Sequence, residues 1–278
     1  MLNNTPKTDF IYNGDCRDLL KEYPDNFFDC CVSDVPYKIV TGGARISEEI
    51  IEKYDKIDPK GILSKRVCSD RLKNKWLKQN ANDVDNAILV SKGQLFEHCD
   101  IKFEEWLPEV YRVLKDGSHA YLMVNSRNLF ELMEKAAEVG FKFLNLLVWV
   151  KNNATPNKYY MQKCEFVLLL RKGFAKNIKD KGTTNVFSIP NIIGNKFHPT
   201  EKPVELMKIF IEQSTEEGDI VLEPFCGAGA TCVAAKELGR GYVAAELEKR
   251  FCDITEQRLQ GVAKREDKNS SPEQRSLF

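Results

Sequence analysis

Two hydrophobic rhythms alternate along this chain: apolar runs of strand length, and apolar residues three and four apart, as on one face of a helix. Asp9 to Tyr12 reads as a short strand leading to Gly14 and Asp15, and Cys16 to Tyr23 as a helical turn or two. Phe28 to Val32 is a mostly apolar, β-prone run suited to a strand buried on both faces. It leaves through a polar, rigid exit, Ser33-Asp34-Val35-Pro36-Tyr37. Further on, Phe103, Trp106, Leu107, Val110, Tyr111 and Leu114 follow helical spacing to a predicted stop at Gly117. His119 to Val124 is a predicted strand, Ser126 a predicted N-cap of a helix running to Gly140, and Phe143 to Val150 another strand. A loop carrying Asn152, Asn153, Pro156 and two tyrosines leads to a strand at Glu165 to Leu170. A polar connection then reaches His198, and a helix runs to about Ser214. The last units are a strand from Ile220, a helix from Thr231 to Leu238 stopped by Gly239, and a strand from Gly241 to Ala245. Strands alternating with helices predict an α/β domain, a mostly parallel sheet covered on both faces.

The pattern fails in two places. From Lys38 to about Glu97 it weakens after the break Thr41-Gly42-Gly43, and residues 41–97 read as an insertion in a domain spanning 1–263. That insertion holds a basic cluster, Lys65, Arg66, Arg71, Lys73, Lys75 and Lys78, with Trp76 among the charges. Charge runs are usually solvated faces, but an aromatic amid basic residues points to nucleic-acid contact. Residues 264–278 are charged and polar, and are expected to be disordered.

Composition narrows the classes. In 278 residues, 42% apolar and 29% charged, no stretch is long and apolar enough for a membrane span, and the N-terminus shows no signal pattern. The expected location is cytoplasmic. A formal net charge of zero means that any nucleic-acid site is a local patch. Nine cysteines form no Cys-x-x-Cys and do not combine with the three histidines at zinc spacing, so no metal is expected and the thiols read as reduced and buried.

The chemistry gathers at residues 220–235, where the run Ile220-Val221-Leu222 ends in Glu223 and a small-residue loop, Gly227 to Ala230, feeds a helix. Glycines there let a ligand approach the backbone and allow positive φ. A dinucleotide fingerprint wants a third Gly or Ala where this loop has Cys232, and a pyrophosphate gains nothing from the Glu223 carboxylate just upstream. The next strand ends in another acid, Glu246, near the place where a carboxylate holds ribose hydroxyls. Two acids at strand ends suit a cofactor with a ribose and a cationic centre and no phosphate, a description S-adenosylmethionine fits. An ordinary strand-to-helix turn remains the alternative on this stretch alone.

Four motifs in one order carry a resemblance. Ser33 to Tyr37 resembles the Asp-Pro-Pro-Tyr signature of amino-methylating DNA methyltransferases, and His198 to Pro203 resembles their His-Pro-Thr-x-Lys-Pro element. Glu223 to Thr231 resembles their cofactor loop, and Gly239 to Phe251 their ribose-binding strand and following helix. With the catalytic signature ahead of the cofactor loop, the chain is similar to the permuted, beta-class adenine-N6 and cytosine-N4 enzymes. The resemblance implies a Rossmann-like, mostly parallel but mixed sheet of about seven strands in permuted order, with helices on both faces. It implies S-adenosylmethionine bound by Asp15, Asp34, Thr200, Lys202, Glu223, Pro224, Phe225, Gly227, Gly229, Thr231 and Glu246, with Asp15 near the adenine and Thr200 and Lys202 near the methionine end. It further implies double-stranded DNA as partner, a nucleoid-associated role in restriction-modification, and a homodimer.

By that resemblance Asp34, Val35, Pro36 and Tyr37 are the catalytic group. Asp34 and the carbonyl of Val35 accept the two amino hydrogens of a flipped-out base, and Tyr37 stacks on it. Val35 departs from the family's proline; it supplies the carbonyl but not the fixed φ. Adenine-N6 is expected because Asp leads the tetrapeptide, with cytosine-N4 or a weakened cofactor- and DNA-binding module as alternatives. The absence of a Pro-Cys nucleophile disfavours cytosine-C5 chemistry, and the loop disfavours a nucleotide-dependent oxidoreductase. DNA is expected to meet Lys65, Arg66, Arg71, Lys73, Lys75, Trp76 and Lys78, with the loop at 152–160 assisting. The final residues Gln274 to Phe278 resemble the peptide by which replication proteins dock on a sliding clamp through a glutamine, a leucine and a phenylalanine, here Gln274, Leu277 and Phe278. A peptide covering Ser271 to Phe278 that shows no binding when titrated against a clamp removes that expectation.

Overall fold

The computed structural model describes residues 6–36, 101–155, 159–174, 176–194 and 196–263. The expectations for Tyr37, for the insertion 41–97 with its basic cluster and Trp76, and for the tail with Gln274, Leu277 and Phe278 lie outside the described residues. The chain divides into two units, 37–101 and the remainder, and all described residues but Ile101 belong to the latter.

That unit is built on one eight-stranded sheet in the order β1-β8-β7-β2-β3-β5-β4-β6. The strands are β1 (Phe10–Asn13), β2 (Phe28–Asp34), β3 (Leu114–Val124), β4 (Lys142–Thr155), β5 (Gln162–Arg171), β6 (Val186–Ser188), β7 (Ile220–Glu223) and β8 (Gly241–Glu246). Among the described strands only β5 runs against the others, pairing antiparallel with both β3 and β4. The helices are α1 (Cys16–Lys21), α2 (Leu107–Val113), α3 (Leu129–Val139), α4 (Val204–Ser214), α5 (Ala230–Glu237) and α6 (Lys249–Leu259).

Side chains alternate across a strand, so a strand buried on both faces needs two cores. On one face Cys30, Val32, Tyr121, Met123, Val167, Leu169 and Val221 pack with Leu206, Phe210 and Ile211 of α4 and Ala234 and Ala235 of α5. Their neighbours Cys31, Ala120, Leu122, Leu168, Leu170 and Leu222 are equally buried and turn to the opposite face, where α1, α2 and α3 pack on one another. Each such Leu or Val contributes about 1.5–3 kcal/mol through burial. The strand ends are thereby held rigidly, which is what a site built on them requires.

The architecture is the mixed, mostly parallel α/β sheet expected, with three local corrections. The eighth strand, β6, is a three-residue edge in which only Phe187 is half-buried, too short to show a period. Gly117 does not stop a helix: α2 ends at Val113 and β3 begins at once. Gly117 sits with φ +81° in a bulge where β3 uses Leu114 to His119 against Phe28 to Cys30, and a Cβ there would lie 2.9 Å from the Phe174 carbonyl oxygen. Ser126 is not an N-cap; α3 starts after Asn128, and Asn125 Oδ1 accepts from the backbone N–H groups of Arg127 (3.1 Å) and Asn128 (3.0 Å) to make the turn. At the helix's other end Gly140, left-handed at φ +116°, is the predicted C-cap.

Candidate active site

In open α/β sheets ligands gather at the carboxyl ends of the strands, and here β2, β7 and β8 end side by side in Asp34, Glu223 and Glu246. Glu223 is buried and spends both oxygens internally. Oε1 accepts from Ser33 Oγ (2.5 Å) and Phe225 N (3.0 Å), and Oε2 from Thr231 Oγ1 (2.8 Å). Burial pushes its carboxyl up to about 8 against those three donors. Glu223 thus ties the residue before Asp34 to both sides of the glycine loop. Pro224 is buried beside it, and Phe225 meets Trp106 edge-on at 5.0 Å.

The loop itself has the backbone its glycines predict. Gly227 (φ +52°) and Gly229 (φ +77°) are left-handed, and a Cβ on Gly229 would come within 2.1 Å of Thr255 Cγ2. Glu246 Oε2 accepts from Gly227 N at 2.8 Å and Oε1 from Glu248 N at 2.9 Å, while burial raises this carboxyl above its usual range. Parallel pairing of β1 with β8 brings Asp15 beside this end, since Gly14 N donates to the Glu246 carbonyl at 2.9 Å. Asp15 caps α1 through Arg17 N (2.8 Å), and hydrogen bonds from the Arg17 guanidinium hold its carboxyl below the ordinary value. A phosphate would need the Gly227 N–H that a carboxylate already takes. The remaining lone pairs of Glu246 suit ligand hydroxyls, while the space beside Gly229 is taken by Thr255 of α6.

The segment before α4 closes the other side. His198 packs on Phe251 with ring centroids 4.2 Å apart, and its ring lies 3.8 Å from where a Gly227 Cβ would be. Thr200 bonds its Nδ1 through Oγ1 at 3.0 Å. Burial, with Lys202, Arg250 and Lys196 nearby, lowers His198 to about 3, so the ring is neutral. Lys202, buried, donates to Asp34 Oδ2 and to the Thr200 carbonyl (3.3 Å). Desolvation pushes Asp34 up; the Lys202 charge pulls it back. Val35 is buried, and half-buried Pro36 ends the described part of this strand exit. Two residues that sequence reasoning missed join the group: Glu165 of β5, 3.6 Å from Lys202 Nζ, and Lys151 of β4, 3.0 Å from Glu165. Their only signal in the sequence is charge inside apolar strands.

The structure therefore brings Asp15, Asp34, Thr200, Lys202, Glu223, Pro224, Phe225, Gly227, Gly229, Thr231 and Glu246 to one end of the sheet. The sulfurs of Cys226 and Cys232 lie 3.7 Å apart under the loop; that mutual hydrogen bond and burial hold Cys226 well above the usual thiol range, a poor nucleophile. Among the described residues no helix is long and apolar enough to cross a membrane.

Comparison with known proteins agrees with this arrangement. The family model N6_N4_Mtase, described as DNA methylase, matches residues 28–257. The chain belongs to this DNA methylase family. The Type II methyltransferase M2.MboI of Moraxella bovis is 27% identical to the methylase over 270 residues, covering 91% of this chain and 88% of the relative. Solved structures share its fold. The M1.HpyAVI complex with S-adenosylmethionine superposes with a TM-score of 0.58 at 22% identity, over 90% of this chain and 98% of that one. The cytosine-N4-specific PvuII DNA methyltransferase gives 0.59 at 16% identity, over 92% and 94%.

Proposed function

We propose that this methylase is a site-specific DNA methyltransferase that moves a methyl group from S-adenosylmethionine to the N6 amino group of an adenine flipped out of double-stranded DNA. The observation that carries the reading is Asp34, a desolvated carboxylate at the end of β2, tied through Ser33 and Glu223 to the glycine loop of β7. An acidic residue leading the tetrapeptide favours adenine over cytosine-N4.

The residues fit the cofactor. Glu246 and Asp15 would take its ribose and adenine side, half-buried Gly227 would let it lie against the backbone, and Thr200 and Lys202 would meet its amino-acid end. When bound it supplies an electrophilic methyl group on a sulfonium. The chain's own part is to prepare the nucleophile, because the amino nitrogen's lone pair is delocalised into the ring. Asp34 and the Val35 carbonyl accept the two amino hydrogens, which favours a tetrahedral nitrogen and stabilises its developing positive charge. Receiving that methyl group would leave the amino nitrogen cationic, and Asp34 would pass one amino proton on to water. Holding both reactants in line accounts for Asp34 and the glycine loop being braced by the same Glu223. Tyr37 would stack on the extruded base.

Single-molecule sequencing of DNA from cells expressing the wild type beside Asp34→Ala tests this. Motif-centred N6-methyladenine is expected with the wild type, and with Asp34→Ala a loss of at least about 10²–10³-fold in rate, the size seen when a charge-stabilising group is removed. Calorimetry should show cofactor binding in both. N4-methylcytosine in place of N6-methyladenine moves the assignment to cytosine; cofactor binding with no modification by the wild type overturns it.

A further inference from the structure

The described residues around Asp34 form a ladder of alternating charge that crosses four segments of the fold, β2, the segment before α4, β5 and β4. Lys202 Nζ, in the segment before α4, bridges Asp34 Oδ2 and Glu165 Oε2, the latter at 3.6 Å, and Lys151 Nζ holds the other Glu165 oxygen at 3.0 Å. The two lysine side chains are only 8% exposed and the two carboxylates about a quarter. Two cations and two anions cancel, which is what makes their burial tolerable. The register sets the inner pair: Glu165 of β5 lies opposite Trp149 of β4, and Lys151 is on the same face two residues along.

Seen from the reaction, the ladder contains a conflict. The Lys202 ammonium on Asp34 Oδ2 weakens that carboxylate as an acceptor and opposes the positive charge that develops on the target nitrogen, yet it cannot simply leave, because a buried charge stripped of its partner is strongly unfavourable. Glu165 resolves it. We propose that Glu165, anchored by Lys151, is a positioning residue that takes the Lys202 ammonium off Asp34 as the target amino group arrives. The inference rests on the role given to Asp34 above. Less than 1 Å of closure from 3.6 Å makes a normal hydrogen bond between Lys202 and Glu165. Every charge keeps a partner throughout.

The proposal fixes the sign of two pH shifts. Among the described residues Lys202, Glu165 of β5 and Glu223 of β7 act on Asp34 directly, Lys151 of β4 acts through Glu165, and Lys196 and His198 from the segment before α4 lie near Lys202. Glu165 is a like charge to Asp34 and raises it. Glu165→Gln removes that charge and leaves Lys202 on Asp34, so Asp34 titrates lower. Lys151→Met frees Glu165 to draw Lys202 away, so Asp34 titrates higher. The test measures methyl transfer against pH, together with the carboxyl carbon resonance of Asp34 by NMR, which needs no turnover.

Expected are acid limbs displaced in opposite directions by about one pH unit, and kcat reduced on the order of tenfold in Glu165→Gln with cofactor affinity retained. The double variant Lys151→Met with Glu165→Gln removes both inner charges and leaves none stranded. It should fold like the wild type and keep the kcat loss. Fixed charges alone would also displace the limbs in opposite directions, so the deciding reading is the Asp34 resonance on adding target duplex, which should move further in the wild type than in Glu165→Gln; an equal change in both overturns the hand-over. Shifts in one direction, or none, beside an active wild type overturn the hand-over while leaving the function standing. A wild type that methylates no DNA overturns the function, and the Asp34 resonance then judges the ladder by itself.

Discussion

At the scale of one residue, Val35 is the departure from the family pattern that most invites a test. Its backbone N–H donates to the Met123 carbonyl at 3.3 Å, carrying the β2–β3 ladder one residue past Asp34, and its side chain is 1% exposed. Proline would fix φ but remove that donor; valine keeps the donor and is stiffened by packing instead. Two devices thus hold the same carbonyl. Val35→Pro should leave methyl transfer within about tenfold of wild type and cost about 1 kcal/mol of stability, the size of one lost hydrogen bond, measurable by urea unfolding. If transfer collapses while the fold survives, the Val35 N–H aims the carbonyl and the two devices are not equivalent.

Between elements, what matters is how the segment before α4 is clasped to the glycine loop. Glu201 Oε2 accepts from Phe197 N at 2.8 Å, and Oε1 lies 3.3 Å from Arg258 of α6, both side chains almost wholly buried. Arg258 in turn donates to the Ala228 carbonyl and lies over the Phe197 ring at 5.1 Å. Glu201→Gln removes a carboxylate while the guanidinium charge stays buried, which should cost about 3–5 kcal/mol and weaken cofactor binding with it. Thermal melting and calorimetry on Glu201→Gln, Arg258→Met and their combination check this; additive losses would mean the pair is not coupled. None of this clasp was legible in the sequence, where Glu201 is only the variable position of a motif. The strand ends were legible, because Phe28 to Val32, broken only by Asp29, and Ile220 to Leu222 are apolar runs that stop at polar residues. Where side chains compete locally, as Asn125 and Ser126 do before α3, propensity chose the wrong one. The Lys151–Glu165 pair stayed hidden for a different reason: its partners lie 14 residues apart, on strands whose pairing shifts register between Val150 and Thr155.

Over the whole molecule, charge limits how DNA can be held. With 41 basic and 41 acidic residues the chain has no global attraction for a polyanion, and charges separated by more than a Debye length of about 8 Å at physiological salt are largely screened. Binding must then come from a local concentration of cations, and the densest in the sequence is Lys65, Arg66, Arg71, Lys73, Lys75 and Lys78 with Trp76. Each phosphate neutralised releases counterions, so the slope of log affinity against log salt counts contacts at about 0.9 apiece on duplex DNA. Replacing Lys73, Lys75 and Lys78 by glutamine should flatten that slope by up to about 2.7 if each meets a phosphate. It should weaken binding to all duplexes alike, because phosphate contacts carry no sequence information. Cofactor affinity should not move. An unchanged slope would place the DNA elsewhere on the chain, and a change of preferred sequence at constant slope would turn the cluster from a phosphate rail into a base reader.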